Sequence, residues 1–447
     1  MNRTSELYCG AALLPDGWHK AVRIEMAGGR IARVEVGAPP HPGDDHAAIV
    51  VPGMANLHSH AFQRGMAGLA EQRGPADDSF WTWREVMYRF VGQLSPDDFE
   101  AIAAQAYIEM LESGFTRVGE FHYLHHDTFG GAYADIGEMS GRVAAAARAT
   151  GIGLTLLPVF YAQGGFGGKA PGAAQARFLS NPDFYGRLIE RCRAIAADLD
   201  GAIVGIAPHS LRAVSPDQLA AILPLAGDGP VHIHIAEQVK EVEDCLAWSG
   251  KRPVEWLFDA APVDHRWCLV HATHMTEAET KALARSGAVA GLCPITEANL
   301  GDGLFPLEAF LQDGGTYGVG SDSNVRIDMP EELRLLEYGQ RLFRRARNVT
   351  APGPGRSTGR ALFDGASTGG AQALGTVAGI EVGHSADLVA LGADHPEDAA
   401  LDHVIFAQGR ISDVWCQGKK RVSSGRHIAR DAVSARYQAV LRRVLGR

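Results

Sequence analysis

The sequence predicts an α/β fold, a (β/α)8 TIM-type barrel carrying a small β-sandwich domain built from both chain termini. Three observations carry that expectation. Short apolar, strand-like runs recur between about residue 50 and residue 346, with helical patterns between them. Histidines and an aspartate close several of these runs at their C-terminal ends, where barrel enzymes carry their chemistry. Strand character then returns at both ends of the chain, outside the alternating region.

The eight barrel strands are expected near Ile49 to His60, Thr116 to His122, Gly153 to Tyr161, Ile203 to His209, Val231 to Ala236, Trp267 to His271, Ala288 to Pro294 and Tyr317 to Asp322. Helix starts fall between them. Ser95-Pro-Asp-Asp, Ser215-Pro-Asp-Gln218 and Thr276-Glu-Ala-Glu279 each pair an N-cap hydroxyl with Pro at N1 or with an acid or amide at N3. A doubly wound open sheet is the alternative arrangement of the same elements. It would not bring residues from the first, fifth, sixth and eighth strands to one point, whereas a closed barrel does.

Residues 1–50 and 380–447 are expected to pair into the small β domain, and residues 51–379 to form the catalytic barrel. The N-terminal part has strand character from Val22 to Met26 and from Ile31 to Val36, around a Gly28-Gly-Arg30 turn; the C-terminal part has it at Ala386 to Leu391, Val404 to Ala407 and Val414 to Gln417. Two stretches are poor in regular structure. Gly164 to Pro182, rich in Gly and Ala, follows the third strand on the catalytic side and reads either as a mobile lid or as a surface loop. Ala351 to Thr358 is rich in Pro and Gly.

Composition narrows the classes of function. With 447 residues and 46% hydrophobic content the chain suits a large globular body. A net charge of -10 argues against nonspecific nucleic-acid binding, so any anionic ligand must be held by local arginines. The six cysteines are dispersed without a CxxC pair, which fits buried free thiols and a cytoplasmic location. The first residues, Met1-Asn-Arg-Thr-Ser-Glu, lack the pattern of a signal peptide, and no apolar stretch approaches the roughly 20 residues that span a bilayer. Neither secretion nor membrane insertion is expected. The aromatic stretch around Phe80, Trp81, Trp83 and Tyr88 is either a dimer surface or core, and a homodimer is the expected assembly.

The chemistry starts at His58 and His60. In an extended strand, residues two apart face the same way, so both imidazoles can reach one metal ion. Such a pair alone is often just two solvated or core histidines. Here His234, His271 and Asp322 close other strand-like runs, and His209 closes the fourth. Three imidazoles and a carboxylate suit one divalent ion, zinc first, with iron not excluded by ligand type. On the fifth strand, His234 lies two residues, about 6.6 Å, nearer the open end than His232. His234 is therefore the expected ligand and His232 a buried barrel residue. The fourth strand offers no lysine to bridge a second metal, which favours a single ion.

A metal with an open position lowers the pKa of a bound water from about 15.7 towards about 7, and so predicts hydrolysis. A base must take the proton, and an acid must protonate the departing nitrogen. Glu237, three residues past His234, is placed for such a shuttle, although a solvated helix-start glutamate has the same spacing.

These residues resemble the amidohydrolase superfamily in its one-metal deaminase branch, over nearly the whole chain. Asn56-Leu-His-Ser-His-Ala-Phe-Gln63, Glu120-Phe-His-Tyr123, Ala207-Pro-His209-Ser-Leu-Arg212, His234-Ile-Ala-Glu237-Gln, Thr296-Glu-Ala-Asn-Leu-Gly-Asp and Gly320-Ser-Asp322-Ser-Asn are together similar to the formimidoylglutamate deiminases. The resemblance implies hydrolysis of N-formimino-L-glutamate to N-formyl-L-glutamate and ammonia, a step of histidine degradation. It also implies His58, His60, His234 and Asp322 as zinc ligands, with Glu237 and His271 beside the reacting water. Asp322 is then expected to accept the water proton first and Glu237 to move protons to the amidine nitrogen. His271 either stabilises the tetrahedral intermediate or acts as base.

A substrate with a cationic amidine at one end and two carboxylates at the other needs acids near the metal and arginines farther out. Arg84 and Arg212 can each fork onto a carboxylate. Gln63, Tyr123 and His209 match the family's remaining polar contacts. Arg84 also reads as a surface charge over aromatic neighbours, and Tyr123 as a core residue. Two rival functions are a deaminase of guanine or another heterocycle, which has no use for two carboxylate-binding arginines, and a non-catalytic scaffold, which would not need a complete ligand set.

Overall fold

Eight parallel strands close into a barrel in the computed structural model, which describes residues 5–73, 79–392 and 395–446. Met1 to Thr4, part of the stretch examined for a leader, lie outside the described residues. The barrel strands are Met54–Ser59, Phe115–His122, Gly153–Phe160, the two pieces Ile203–Val204 and Ala207–Pro208, then Val231–Ile235, Trp267–His271, Val289–Leu292 and Thr316–Val319. Successive strands pair in parallel within each half. The halves are joined by bridges Ile206 to Val231 and Ser210 to His234 on one side and Ser59 to Asp322 on the other. Closure excludes the open doubly wound sheet.

The fourth strand is broken because it bonds alternately to its two neighbours. Gly205, at the break, tolerates no side chain: a Cβ there would lie 2.4 Å from the carbonyl oxygen of Pro230. The apolar run from Ile49 to His60, expected as one strand, is two. Asp45–Pro52 belongs to the terminal sheet, Gly53 turns the chain, and Met54–Ser59 opens the barrel. A Cβ on Gly53 would lie 2.3 Å from Thr116 Oγ1, so the turn depends on glycine.

The expected helix starts form as capping boxes. Ser95, Ser215 and Thr276 each accept from the backbone N–H three residues on, and the side chain of that residue accepts from the cap's own N–H. Val404 to Ala407, expected as strand, instead lies in the helix Ala400–Phe406. Leu401, Val404 and Ile405 are all buried, and their i, i+3, i+4 spacing outweighs the strand preference of the Val-Ile pair.

The barrel base is plugged. The helix Thr358–Ala373 ends beneath the strands, where Ala373 and Leu374 pack with Leu57, Cys268 and Val270. His232, buried as expected, donates from Nε2 to Ala373 O at 2.7 Å, and Thr155 Oγ1 donates to Leu374 O at 3.0 Å. Glycines line the wall there because larger residues have no room: a Cβ on Gly318 would meet Leu57 Cδ2 at 2.5 Å and Gly370 N at 2.6 Å.

Both chain ends build one continuous sheet of eight strands, ordered Arg426–His427, Lys419–Ser423, Ile411–Cys416, Leu388–Leu391, Asp45–Pro52, Ser5–Leu14, Gly17–Ala27 and Arg30–Val36. The sheet curls back on itself. Ile31 N–H donates to His384 O and Ala386 N–H to Gly29 O, enclosing a core that includes Leu7, Ile24, Leu388 and Trp415. This curled sheet stands where the sandwich was expected. The last helix, Arg430–Val444, returns to the barrel and lies on the helix Pro96–Glu112, with Arg436 paired to Glu100 at 2.8 Å. All six cysteines are buried and free. Among the described residues no helix is long and apolar enough to cross a membrane.

Candidate metal centre and substrate pocket

Three imidazoles converge at the C-terminal mouth of the barrel. His58 and His60 end the first strand and His234 the fifth; His58 Nε2 lies 3.2 Å from His60 Nε2 and 3.0 Å from His234 Nε2. Asp322, just past the eighth strand, brings Oδ1 to 3.5 Å from His58 Nε2 and 3.3 Å from His60 Nε2. All four side chains are buried, and their ligand atoms lie within 4.8 Å of one another.

Their outer nitrogens show that this group fits a cation. His60 Nδ1 is 2.9 Å from Phe121 O, and His234 Nδ1 is 3.0 Å from His209 O. A carbonyl oxygen only accepts, so each Nδ1 carries the proton and each Nε2 presents a lone pair to the common centre. Burial pushes the His58 imidazole down to about 3, lowers His60, and takes His234 well below its usual value. These three rings are therefore neutral near pH 7. Burial would raise Asp322, but its contact with His58 and the neighbouring imidazoles, of which His271 keeps its proton, hold the carboxyl well below the usual carboxylate range. The fixed lone pairs of His60 and His234, the His58 Nε2 beside them and a carboxylate facing one point suit a divalent ion of the zinc type.

The backbone is strained where the site is built. Ala236, His271, Ala272, Asp322 and Asn324 all have left-handed φ, between 44° and 68°, at the ends of the fifth, sixth and eighth strands. Buried side chains hold the turns. Asn324 Nδ2 donates to Asp322 O at 3.0 Å and to Ser59 Oγ at 3.1 Å, tying the last strand to the first.

Glu237 and His271 flank the open side of this centre. His271 Nε2 is 3.9 Å from Glu237 Oε1 and 3.8 Å from Asp322 Oδ2, leaving a gap among the three groups. Burial raises Glu237 to about 7 against the lowering charges of His271 and Arg212. For His271 burial lowers, but Glu237, Glu297 and Asp322 outweigh it and raise the imidazole to about 10.

From there a cavity with an empty volume of about 610 Å³, its open mouth included, runs outward. Ten of the eleven residues singled out in the sequence line it: His60, Gln63, Arg84, Tyr123, His209, Arg212, His234, Glu237, His271 and Asp322. His58 lies fully buried behind them. Gln63 Nε2 donates to Tyr123 OH at 2.9 Å, so Tyr123, though buried, is a polar group of the wall. The Arg84 guanidinium stands 4.6 Å from the Trp81 ring and 5.5 Å from Tyr88, and Arg212 stands 5.8 Å from Trp81. Among the described residues three polar atoms in this wall have no hydrogen-bond partner, Gln63 Oε1, Arg84 Nε and Arg212 Nε, the last with Glu241 Oε2 4.0 Å away.

Several lining residues were not singled out as site residues. Phe80, Trp83, Met87 and Tyr88 belong to the helix Phe80–Val91, which forms one wall of the pocket, and Trp83 and Tyr88 also pack against the hydrophobic core, one of the two places expected of that aromatic stretch. Phe178 comes from the Gly164 to Pro182 stretch, whose neighbouring Arg177 is buried and donates to Leu94 O and His126 O, both at 3.0 Å. That part of the stretch is packed wall. Tyr161, just past the third strand, could have been found by the rule that used His209; nothing in the sequence marked Phe178.

Comparison with known proteins adds independent findings. Residues 49–421 match the model of the amidohydrolase family, and residues 4–48 match that described as "Formimidoylglutamate deiminase HutF, N-terminal domain". A formimidoylglutamate deiminase of Pseudomonas aeruginosa is 51% identical, over 99% of this chain and 100% of its own length. The crystal structure of an amidohydrolase from Brucella melitensis superposes with a TM-score of 0.97 at 56% identity, covering 99% of this chain and 100% of that one. An adenosine deaminase from Xanthomonas campestris, solved with bound zinc, shares the fold at a TM-score of 0.81 and 23% identity, covering 99% and 98% of the two chains.

Proposed function

This chain belongs to the amidohydrolase family, and from that premise we infer that it hydrolyses N-formimino-L-glutamate to N-formyl-L-glutamate and ammonia, a step of histidine degradation. The full-length similarity to the Pseudomonas aeruginosa enzyme carries this reading. The pocket is consistent with it, since acids stand beside the imidazole cluster and two arginines, Arg84 and Arg212, line the same cavity. Residues 51–379 supply the catalytic barrel, and residues 1–50 and 380–447 form a small β domain.

One zinc ion would be held by His58, His60, His234 and Asp322. When bound, it supplies Lewis acidity that makes a water nucleophilic near neutral pH. The protein does the rest. Asp322, the strongest acid of the group, keeps its carboxylate ionised and accepts the first proton as the water oxygen attacks the formimino carbon. Glu237, poised near neutrality, passes a proton to the departing nitrogen, so that ammonia leaves and the carbonyl of the formyl group forms. His271 directs Nε2 at the gap between these carboxylates and stabilises the oxygen as it gains charge.

Arg84 and Arg212 bind carboxylate at the far end, with Gln63, Tyr123 and His209 as the other polar contacts. Arg84 Nε, Arg212 Nε and Gln63 Oε1, which make no hydrogen bond within the protein, support this, because a buried polar atom left without one costs about 1–3 kcal/mol unless a ligand completes it. A homodimer in the cytoplasm completes the reading; the buried free thiols fit a reducing compartment, and light scattering tests the assembly.

Ammonia release from N-formimino-L-glutamate by zinc-loaded protein, with guanine and Asp322→Ala as controls, is the direct test. Release from the formimino compound alone, abolished in the variant, is expected. Turnover of guanine instead would overturn the substrate while keeping the metal chemistry.

A further inference from the structure

The motif Thr296-Glu-Ala-Asn-Leu-Gly-Asp302 carries no task in that mechanism, yet it bonds to His271 and to the neighbours of Asp322 and Glu237. It follows the seventh strand as the helix Pro294–Leu300. Thr296 Oγ1 accepts from Ser323 N–H at 3.2 Å, bracing the turn that carries Asp322. Asp302 accepts from the Gln238 side chain, next to Glu237. Between them, Glu297 is buried and places Oε1 3.2 Å from His271 Nδ1.

Building on the deiminase reading, we propose that Glu297 is a positioning residue, whose side-chain oxygen holds the His271 ring with its proton on Nδ1 and thereby aims Nε2 between Glu237 and Asp322. The geometry requires such a hold. His271 stacks on His234 with ring centroids 5.6 Å apart and planes 11° from parallel, and a 180° turn about Cβ–Cγ returns the ring to the same plane, so the stack does not distinguish the two orientations. A flipped ring would put carbon where Nε2 now faces the two carboxylates. The bond to Glu297 distinguishes the two faces, because an imidazole carbon is a poor donor to a carboxylate. The contacts of Nε2, 3.8 and 3.9 Å, are too long for direct hydrogen bonds and leave the reacting groups to fill the gap.

The competing role is a helix cap alone, since the same Oε1 accepts Cys293 N–H at 2.9 Å. Steady-state kinetics of the zinc-loaded full chain separate the two. Glu297→Ala is expected to lower kcat about 10- to 100-fold per folded, metal-loaded molecule, with KM within about twofold of the parent. Glu297→Gln, whose amide oxygen can take both bonds, is expected to recover most of that loss. On a His271→Ala background, Glu297→Ala should remove nothing more. A folded Glu297→Ala protein with parental kcat would overturn the proposal, as would an equal loss on both backgrounds. A second measurement needs no Glu297 variant. In protein labelled with 15N-histidine, the His271 ring, identified by its absence in His271→Ala, should show a proton on Nδ1; a bare Nδ1 overturns the proposal even if Glu297→Ala does not fold. Because that signal needs no substrate, failure of the parent to act on formiminoglutamate would count against the substrate alone.

Discussion

Arg212 Nη2 stands 3.8 Å from Glu237 Oε2, so the arginine proposed to bind the substrate carboxylate and the glutamate proposed to move protons face each other as one pair. Removing Arg212 therefore does two things. Arg212→Ala is expected to lower kcat/KM for formiminoglutamate by about 10- to 100-fold, the worth of a hydrogen bond to a charged group, and to lower kcat as well. Arg84, whose guanidinium stacks on Trp81 and Tyr88, should act mainly through KM. Steady-state kinetics of both alanine variants decide this; parental kinetics for either would remove the case for an acidic substrate.

Chelation should abolish activity and lower the melting temperature together. A ligand that binds only the folded state adds about 4 kcal/mol at a thousand times its dissociation constant, and three histidines with an aspartate bind only when the barrel has closed. Zinc should restore both, at one ion per chain by elemental analysis. Chelation that leaves turnover untouched would exclude a metal mechanism.

Glu120 makes a pH-dependent contribution apart from catalysis. Burial raises its carboxyl to about 8 although Ala61 N–H donates to it at 2.7 Å. A raised folded-state value means that its contribution is fully present below the ordinary 4.5 and is lost as pH rises through about 8. Glu120→Gln should therefore gain stability relative to the parent from about pH 5 to about pH 8, by up to about 1.4 kcal/mol for each unit crossed, and level off above that. Denaturant melts at several pH values measure it, and a constant difference would contradict the assignment.

Gly318→Ala tests the packing at the barrel base. Its methyl group would press on Leu57 and on the backbone nitrogen of Gly370, which cannot swing aside. A loss of about 1–3 kcal/mol is expected by thermal or chemical unfolding. Unchanged stability would show that the plug beneath the strands is loose.

The barrel and its site were largely legible because both follow short-range rules. Alternating apolar runs marked the strands, hydroxyl caps such as Ser95 marked the helices, and polar residues at strand ends marked the mouth. What escaped depends on long-range pairing. No local signal says that Pro52 belongs to one sheet and Met54 to another; that follows from Leu388 pairing with Pro52. The same holds for Phe178 in the pocket wall and for the helical Val404, whose neighbours decide its state.

That pairing also orders the assembly of the chain in time. Asp45–Pro52, near the start, is a central strand of the terminal sheet, but its neighbour Leu388–Leu391 is among the last segments to be synthesised. The helix that plugs the barrel likewise emerges only after the eighth strand. Neither module can finish while the ribosome still holds the C-terminal quarter, so the ends must find each other across the whole polypeptide. A protein wired this way acquires its catalytic cluster late and as a unit, and shortening either terminus removes support from a centre that lies far along the sequence.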